Sequence, residues 1–186
     1  HGPLFSHGDL HVSLKWTGNA GFNDDGSGVT REAVAAYMLM RARGLNDLLM
    51  ALRYWDVPSQ NWAFVDKDGN FGIVVPGLFP FRVVRLPDGR EVRVIGSRSV
   101  LNGTGGHEWA GFVPFSQVPM TVNPERGYAA APNQLTVGPN YPYFILGGWY
   151  DPGARAQRIH SLLASKALHS VEDFARYQCD TVLWFA

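Results

Sequence analysis

A single cysteine, Cys179, stands in 186 residues, which excludes an internal disulfide framework and any cysteine-based zinc cluster. It is most simply a small helix residue. Excess charge of either sign is also missing: 16 basic residues face 16 acidic ones, so there is no polyelectrolyte field to attract nucleic acid or anionic lipid. A small, largely uncharged ligand suits this balance better. No apolar run approaches the roughly 18 residues that a membrane-spanning helix needs. No glycine-rich phosphate loop, internal repeat or low-complexity tract is present. The G-x-S-x-G elbow is absent too, which leaves a Ser-His-Asp triad without its motif, although counting residues does not exclude one.

What is there suits one core lined by pockets and tight turns. Hydrophobic residues make up 46% and aromatics 13%, with 21 glycines and 12 prolines. The length fits one domain, or one piece of a larger one. The sequence opens at His1-Gly2-Pro3 without Met and closes on Leu183-Trp184-Phe185-Ala186. Bulky apolar groups at a bare terminus lead us to expect a portion of a longer product.

Along the chain, Leu10, Val12, Leu14 and Trp16 alternate with polar residues, the pattern of a half-buried strand. His1, His7 and His11 lie in or beside this strand and do not form a helical zinc pattern. The glycine-rich Asn19–Gly28 stretch reads as a surface loop, because its acidic pair lacks the ligand ladder of an EF-hand. Thr30 is expected to cap a helix ending near Gly44, and Asn46 to cap a second that Pro58 closes. Trp62, Phe64, Phe71, Ile73 and Val75 flank Asp66-Lys67-Asp68-Gly69-Asn70 as a hairpin whose tip is a turn rather than a calcium loop. A second hairpin is expected over 79–99, turning at Leu86-Pro87-Asp88-Gly89-Arg90, as an excursion from the body of the fold. The glycine- and proline-rich tract that follows is long enough to be functional or to wall something else. A last helix is expected after Ser170, with Asp173 in capping-box spacing.

The stretch 127–159 concentrates small residues, tight turns and two suggestively placed polar side chains. Asn133 follows Ala129-Ala130-Ala131 and Pro132, which removes a backbone donor and fixes φ, so the amide would leave a strand end at a defined angle. Arg155 opens an amphipathic helical run after Asp151-Pro152-Gly153. On the residues alone, Asn133 could equally stabilise a turn, and Arg155 could be a solvated residue of a first helical turn.

Six strings occur in order: HGPLFS, PSQNWAFVDKDGNFGIVVPGLFPFR, HEWAGFVPF, VNPERGYAAAPN, NYPYF and GARAQRIHSLL. Together they resemble the penicillin acylase (penicillin amidase) family of N-terminal nucleophile hydrolases over nearly the whole chain. The resemblance implies an α+β fold, part of an αββα four-layer sandwich of antiparallel sheets and flanking helices. It also implies cleavage of the amide bond between an acyl group and an amine, with related members acting on cephalosporins and acyl-homoserine lactones. In this family a precursor cleaves itself into two chains, and the second begins with a serine whose hydroxyl attacks and whose own α-amine is the base. His1 cannot play that part. The sequence therefore corresponds to a later part of the catalytic β chain, expected to be inactive without the nucleophile-bearing segment and the α chain of the same precursor.

By the same resemblance, Asn133 matches the oxyanion-hole asparagine and Arg155 the arginine that orients the N-terminal serine. Tyr37 and Gln60 match acyl-pocket positions. Gln60 stands where the penicillin acylases proper carry an aliphatic residue, a departure from phenylacetyl-type specificity. The family often holds a structural calcium, with a carboxylate expected just after Tyr141-Pro142. That tract reads Tyr143-Phe144-Ile145-Leu146, so no metal or other cofactor is expected in this chain. The compartment is not readable from the residues; the resemblance points outside the cytoplasm. A different class of reading, a non-catalytic binding or structural module that kept the acylase pattern, predicts no Ser, Thr or Cys at a self-cleavage site upstream.

Overall fold

In a computed structural model of the chain, the described residues are 2–19, 30–97, 99–146 and 150–182. His1, residues 20–29 of the glycine loop and the apolar run 183–186 lie outside them. The elements follow in order as β1 (Leu4–His7), β2 (Leu10–Ser13), α1 (Glu32–Leu39), α2 (Leu45–Leu52), β3 (Trp62–Val65) and β4 (Phe71–Val74). Then come β5 (Pro80–Arg85), β6 (Glu91–Ile95), β7 (Gly111–Phe112), β8 (Met120–Val122), β9 (Phe144–Ile145), α3 (Ala154–Leu163) and α4 (Val171–Gln178). The class is α+β. One sheet has the order β3-β4-β8, another β7-β5-β6-β9, and β1-β2 is a separate ribbon. All pairings are antiparallel except β6 with β9, which is parallel.

The first strand is shorter than its alternation suggests and is not half-buried. Leu10–Ser13 pairs with Leu4–His7, and Leu4, Phe5 and Leu10 are all exposed. A period of two fixes which side chains share a face, but burial requires a second layer over that face. Among the described residues this ribbon lacks one, although Lys15 beyond it reaches Glu108 at 2.7 Å and lies 4.8 Å from the centroid of Trp109.

Both expected helix caps are displaced. The N-cap of α1 is Arg31 and that of α2 is Gly44, and neither uses a side chain of its own. The amide groups left open at a helix start need acceptors, and distant carboxylates supply them. Asp56 Oδ2 accepts from Arg31 N at 2.9 Å, and Asp66 Oδ2 from Leu45 N at 3.1 Å. The first helix stops at Leu39 rather than near Gly44. The second stops at Leu52, and beyond it Trp55 Nε1 donates to Pro58 O at 2.7 Å.

The β3/β4 hairpin forms as its pattern requires, with Trp62 opposite Val74 and Val65 opposite Phe71. At its tip Asp66 Oδ1 accepts from Asp68 N and Asn70 N, while Oδ2 accepts from Asn70 Nδ2. The Asn70 side chain, before the main-chain donors, holds the Asp66 carboxyl below its ordinary range. Both oxygens are thus spent on N–H donors, as in an Asx turn. Gly72 lets β8 approach: a Cβ there would lie 2.0 Å from Thr121 O.

The β5/β6 hairpin turns at Leu86–Arg90, as expected, but its root does not stand off from the body. It forms the middle of the larger sheet, flanked by β7 and β9. Phe81 and Ile95 pack against a core of Leu52, Val74, Val113, Val118 and Tyr143. These five come from α2, β4 and the irregular segments next to β7, β8 and β9, so the core sits where α2 meets both sheets. The long tract between β6 and β9 earns its length by delivering one short strand to each sheet.

At the C-terminal end, α4 carries the full capping box. Asp173 N donates to Ser170 Oγ and Ser170 N to Asp173 Oδ2. Lys166 and Arg176 pair with the same carboxylate. The Lys166 contact, followed by the Ser170 amide, draws the Asp173 carboxyl down from the ordinary 3.8 to about 2. A carboxyl depressed on folding contributes stability that is present above the unfolded value and lost as pH falls through the folded one. The protection of α4 amides relative to their intrinsic exchange rates should therefore fall between pH 3.8 and about 2, and Asp173→Asn should remove that dependence; an unchanged protection profile in the variant would contradict this assignment.

Among the described residues no helix is long and apolar enough to cross a membrane.

Candidate active site

The residues before Asn133 form no strand; the small run passes through buried Pro132 into irregular backbone. Asn133 itself lies at φ 65°, in the left-handed region. Asparagine tolerates this region better than most residues, and conformations of this kind persist where the surroundings hold them. The holding is visible on two sides. The main-chain Asn133 O accepts from Asp151 N at 2.8 Å, and the side-chain Oδ1 accepts from Arg155 Nη2 at 2.8 Å. A guanidinium can only donate, so the oxygen of the Asn133 amide must face it and the NH₂ group must face away. Among the described residues, Nδ2 makes no hydrogen bond.

Arg155 is the second residue of α3, and Asp151 fixes it there. Arg155 Nε donates to Asp151 Oδ2 at 2.9 Å, while Gly153 N donates to Asp151 Oδ1 at 2.9 Å. These two donors, Arg155 first, hold the Asp151 carboxyl below the ordinary carboxylate range. Gly153 is the N-cap of α3 at φ 105°, a conformation side-chain-bearing residues rarely adopt, and it turns the chain from Asp151 into the helix. Asn133, Asp151 and Arg155 thus form one hydrogen-bonded unit.

Asn133 borders a cavity of about 580 Å³ at the junction of the two sheets, within the usual size for a small-molecule site. Its wall includes Gln60, Phe79, Ile95, Tyr141 and Tyr150. Burial raises both phenols, Tyr141 to about 12 and Tyr150 in the same direction, so the wall is uncharged there at neutral pH. The structure thus brings Asn133 and Arg155 into contact and Gln60 to the same cavity as Asn133.

Tyr37 is not brought there. Helix α1 buries Ala35, and two residues further on, about 200° around the helix, Tyr37 is 58% exposed. Arg41 Nη1 reaches its hydroxyl at 3.4 Å and its guanidinium lies over the ring. In the sequence Asp151 reads as a turn residue of Asp-Pro-Gly, and only its spacing of four residues from Arg155 marks the pair. The tract after Tyr141-Pro142 offers no carboxylate, and among the described residues no group of ≥ 3 His, Cys, Asp or Glu could hold a metal ion.

Residues 1–186 match a family model described as penicillin amidase. The chain belongs to the penicillin amidase family. It is 27% identical to Penicillin acylase 2 proenzyme of Pseudomonas sp. (strain SE83) over 132 residues, which is 71% of this chain and 16% of that protein. It is 34% identical to Penicillin G acylase of Escherichia coli over 107 residues, 57% of this chain and 12% of that protein. Thermostable Penicillin G acylase from Alcaligenes faecalis, a solved structure, superimposes with a TM-score of 0.62 at 20% identity, covering 94% of this chain and 33% of that one. That likeness carries the fold alone, an α+β arrangement of largely antiparallel sheets and helices. The chain thus spans a minor part of the length of each of these relatives.

Proposed function

We propose that this chain supplies the receiving half of an amide-hydrolysing site: the oxyanion donor and its supports, acting on an acyl amide attacked by an N-terminal serine elsewhere in the full-length protein. The observation that carries the reading is the Arg155 to Asn133 hydrogen bond of 2.8 Å, which leaves the Nδ2 protons of an asparagine at a cavity edge for a ligand oxygen.

In the proposed reaction the serine hydroxyl adds to the acyl carbon, and its proton passes to the serine's own α-amine. Such an amine titrates near pH 8 and can accept a proton close to neutrality without a histidine. Negative charge develops on the former carbonyl oxygen, where Asn133 Nδ2 donates. A donor held in place before charge develops costs no reorganisation during the step. Arg155 spends Nε and Nη2 on Asp151 and Asn133, which leaves Nη1 to orient the serine in this reading. A fixed cation beside the α-amine also favours its neutral, proton-accepting form. Gln60 puts a primary amide into the cavity wall, which suits a polar acyl group better than a purely aromatic one.

Collapse of the adduct breaks the C–N bond as the α-ammonium returns its proton to the leaving nitrogen, which departs as a neutral amine. Water then hydrolyses the acyl-serine with the freed α-amine again as base. The direct test compares the full-length protein with residues 1–186 alone on a panel of acyl amides. Hydrolysis by the full-length protein only is expected. Hydrolysis by the isolated chain that Asn133→Ala abolishes would contradict the division of labour.

A further inference from the structure

We infer that Asp151 is a positioning residue for this reaction: it sets the aim of the Asn133 amide by gripping the asparagine's main chain directly and its side chain through Arg155. The inference rests on the reading of Asn133 as the oxyanion donor.

Three contacts carry it. The amide N–H of Asp151 donates to Asn133 O at 2.8 Å, which anchors a residue whose left-handed backbone needs outside support. Asp151 Oδ2 accepts from Arg155 Nε at 2.9 Å, and Nη2 of the same guanidinium reaches Asn133 Oδ1 at 2.8 Å. Because the guanidinium is planar and rigid, fixing Nε also fixes the direction in which Nη2 points. The third contact, Gly153 N to Asp151 Oδ1 at 2.9 Å, ties the carboxylate to the turn that starts α3. The burial pattern agrees with this order of dependence. The Arg155 side chain is 58% exposed and would sample many rotamers if left to itself, whereas that of Asp151 is only 17% exposed. The half-buried carboxylate is therefore the fixed point, the arginine its lever, and the asparagine amide what the lever sets.

Losing Asp151 leaves every group that would touch the substrate in place but frees the angle of one of them. A misplacement of about 1 Å in a reacting constellation can cost on the order of 100-fold in rate. A residue with this role lowers kcat chiefly through Asn133, with a smaller share through its hold on Arg155 itself, and that separates it from one that merely stabilises a loop.

The test is a double-mutant cycle in the full-length protein, with kcat and KM measured separately for Asp151→Ala, Asn133→Ala and the pair. Asp151→Ala is expected to lower kcat by about 10- to 100-fold with KM within about threefold. In the Asn133→Ala background it should cost several-fold less, because the group it chiefly aims is gone. Asp151→Asn, which keeps the shape and one acceptor, should recover part of the loss, and it carries the cycle if the alanine variant fails to fold. An equal fold-loss from the Asp151 substitution in both backgrounds, or an unchanged kcat, would overturn the inference. If Asn133→Ala alone leaves kcat intact, it is the reading of Asn133 that fails.

Discussion

Asn133→Ala in the full-length protein is expected to lower kcat by about 10²–10³-fold, about 2.7–4 kcal/mol of transition-state stabilisation, with a much smaller change in KM. The loss falls on kcat because the amide meets a full negative charge only after the carbonyl has become tetrahedral. One complication has a physical remedy. Asn133 sits at φ 65°, and alanine there carries about 1–2 kcal/mol of backbone strain that asparagine and glycine largely avoid. Asn133→Gly removes that strain while still deleting the donor, so it should match the alanine variant in kcat and exceed it in thermal stability. Asn133→Asp separates the two ends of the side chain: a carboxylate can still accept from Arg155 Nη2 but offers no N–H and sets a negative charge beside the developing one. It should be at least as impaired as alanine. Full activity in Asn133→Asp would show that accepting from Arg155 is all this side chain does.

The largest effect on stability is expected at Asp56, far from Asn133 in sequence. Its side chain is 1% exposed and accepts from Arg31 N at 2.9 Å, Arg31 Nε at 3.0 Å and Arg31 Nη2 at 2.8 Å. Its carbonyl accepts from Leu78 N at 2.8 Å, and next to it Glu32 Oε1 accepts from Val57 N at 2.6 Å. This joint closes the start of α1, pins the segment that runs on to Gln60 at the cavity wall, and joins both to the chain entering β5. Removing one partner of a buried charged pair typically costs about 3–5 kcal/mol, since the other has already been taken out of water. Asp56→Ala should lose about that much, read as a fall in the urea midpoint at constant slope. Asp56→Asn keeps the shape and some acceptors and should lose less. A change under about 1 kcal/mol in Asp56→Ala would mean that the joint is not the anchor its geometry suggests.

The same joint shows where a reading of the residues runs out. The β3/β4 hairpin was legible because alternating Trp62, Phe64, Phe71 and Ile73 and the Asp66–Asn70 turn act within a few residues of one another. The capping box at Ser170 and Asp173 was legible for the same reason. Thr30 and Asn46 were reasonable caps by type, but Asp56 and Asp66 supply the acceptors from 25 and 21 residues away, a pairing that no local pattern announces. The β1/β2 ribbon shows the converse limit. Its periodicity was plain, yet its exposure depends on what lies over it. The β5/β6 hairpin was recognisable by its turn, whereas its place in the middle of a sheet depended on β7 and β9, two-residue strands too short to leave a pattern.

At the site, Asn133 stood out because a lone amide after three alanines and a proline is unusual, and Arg155 because it opens an amphipathic helix. That they touch is a fact of folding, as is the position of Gln60 at the same cavity. Tyr37 carries an aromatic ring of the type expected of a pocket wall, but the turn of α1 directs it to solvent. Asp151 was hidden by its own plausibility as a turn residue.

The most direct measurement is the structure of the full-length protein carrying a tetrahedral phosphonate adduct on its nucleophile. The account predicts the oxyanion-mimicking oxygen about 2.7–3.1 Å from Asn133 Nδ2, with Arg155 still donating to Oδ1 and Asp151 still holding Arg155. An adduct oxygen bound wholly by other donors, with the Asn133 side chain turned away from it, would contradict that account.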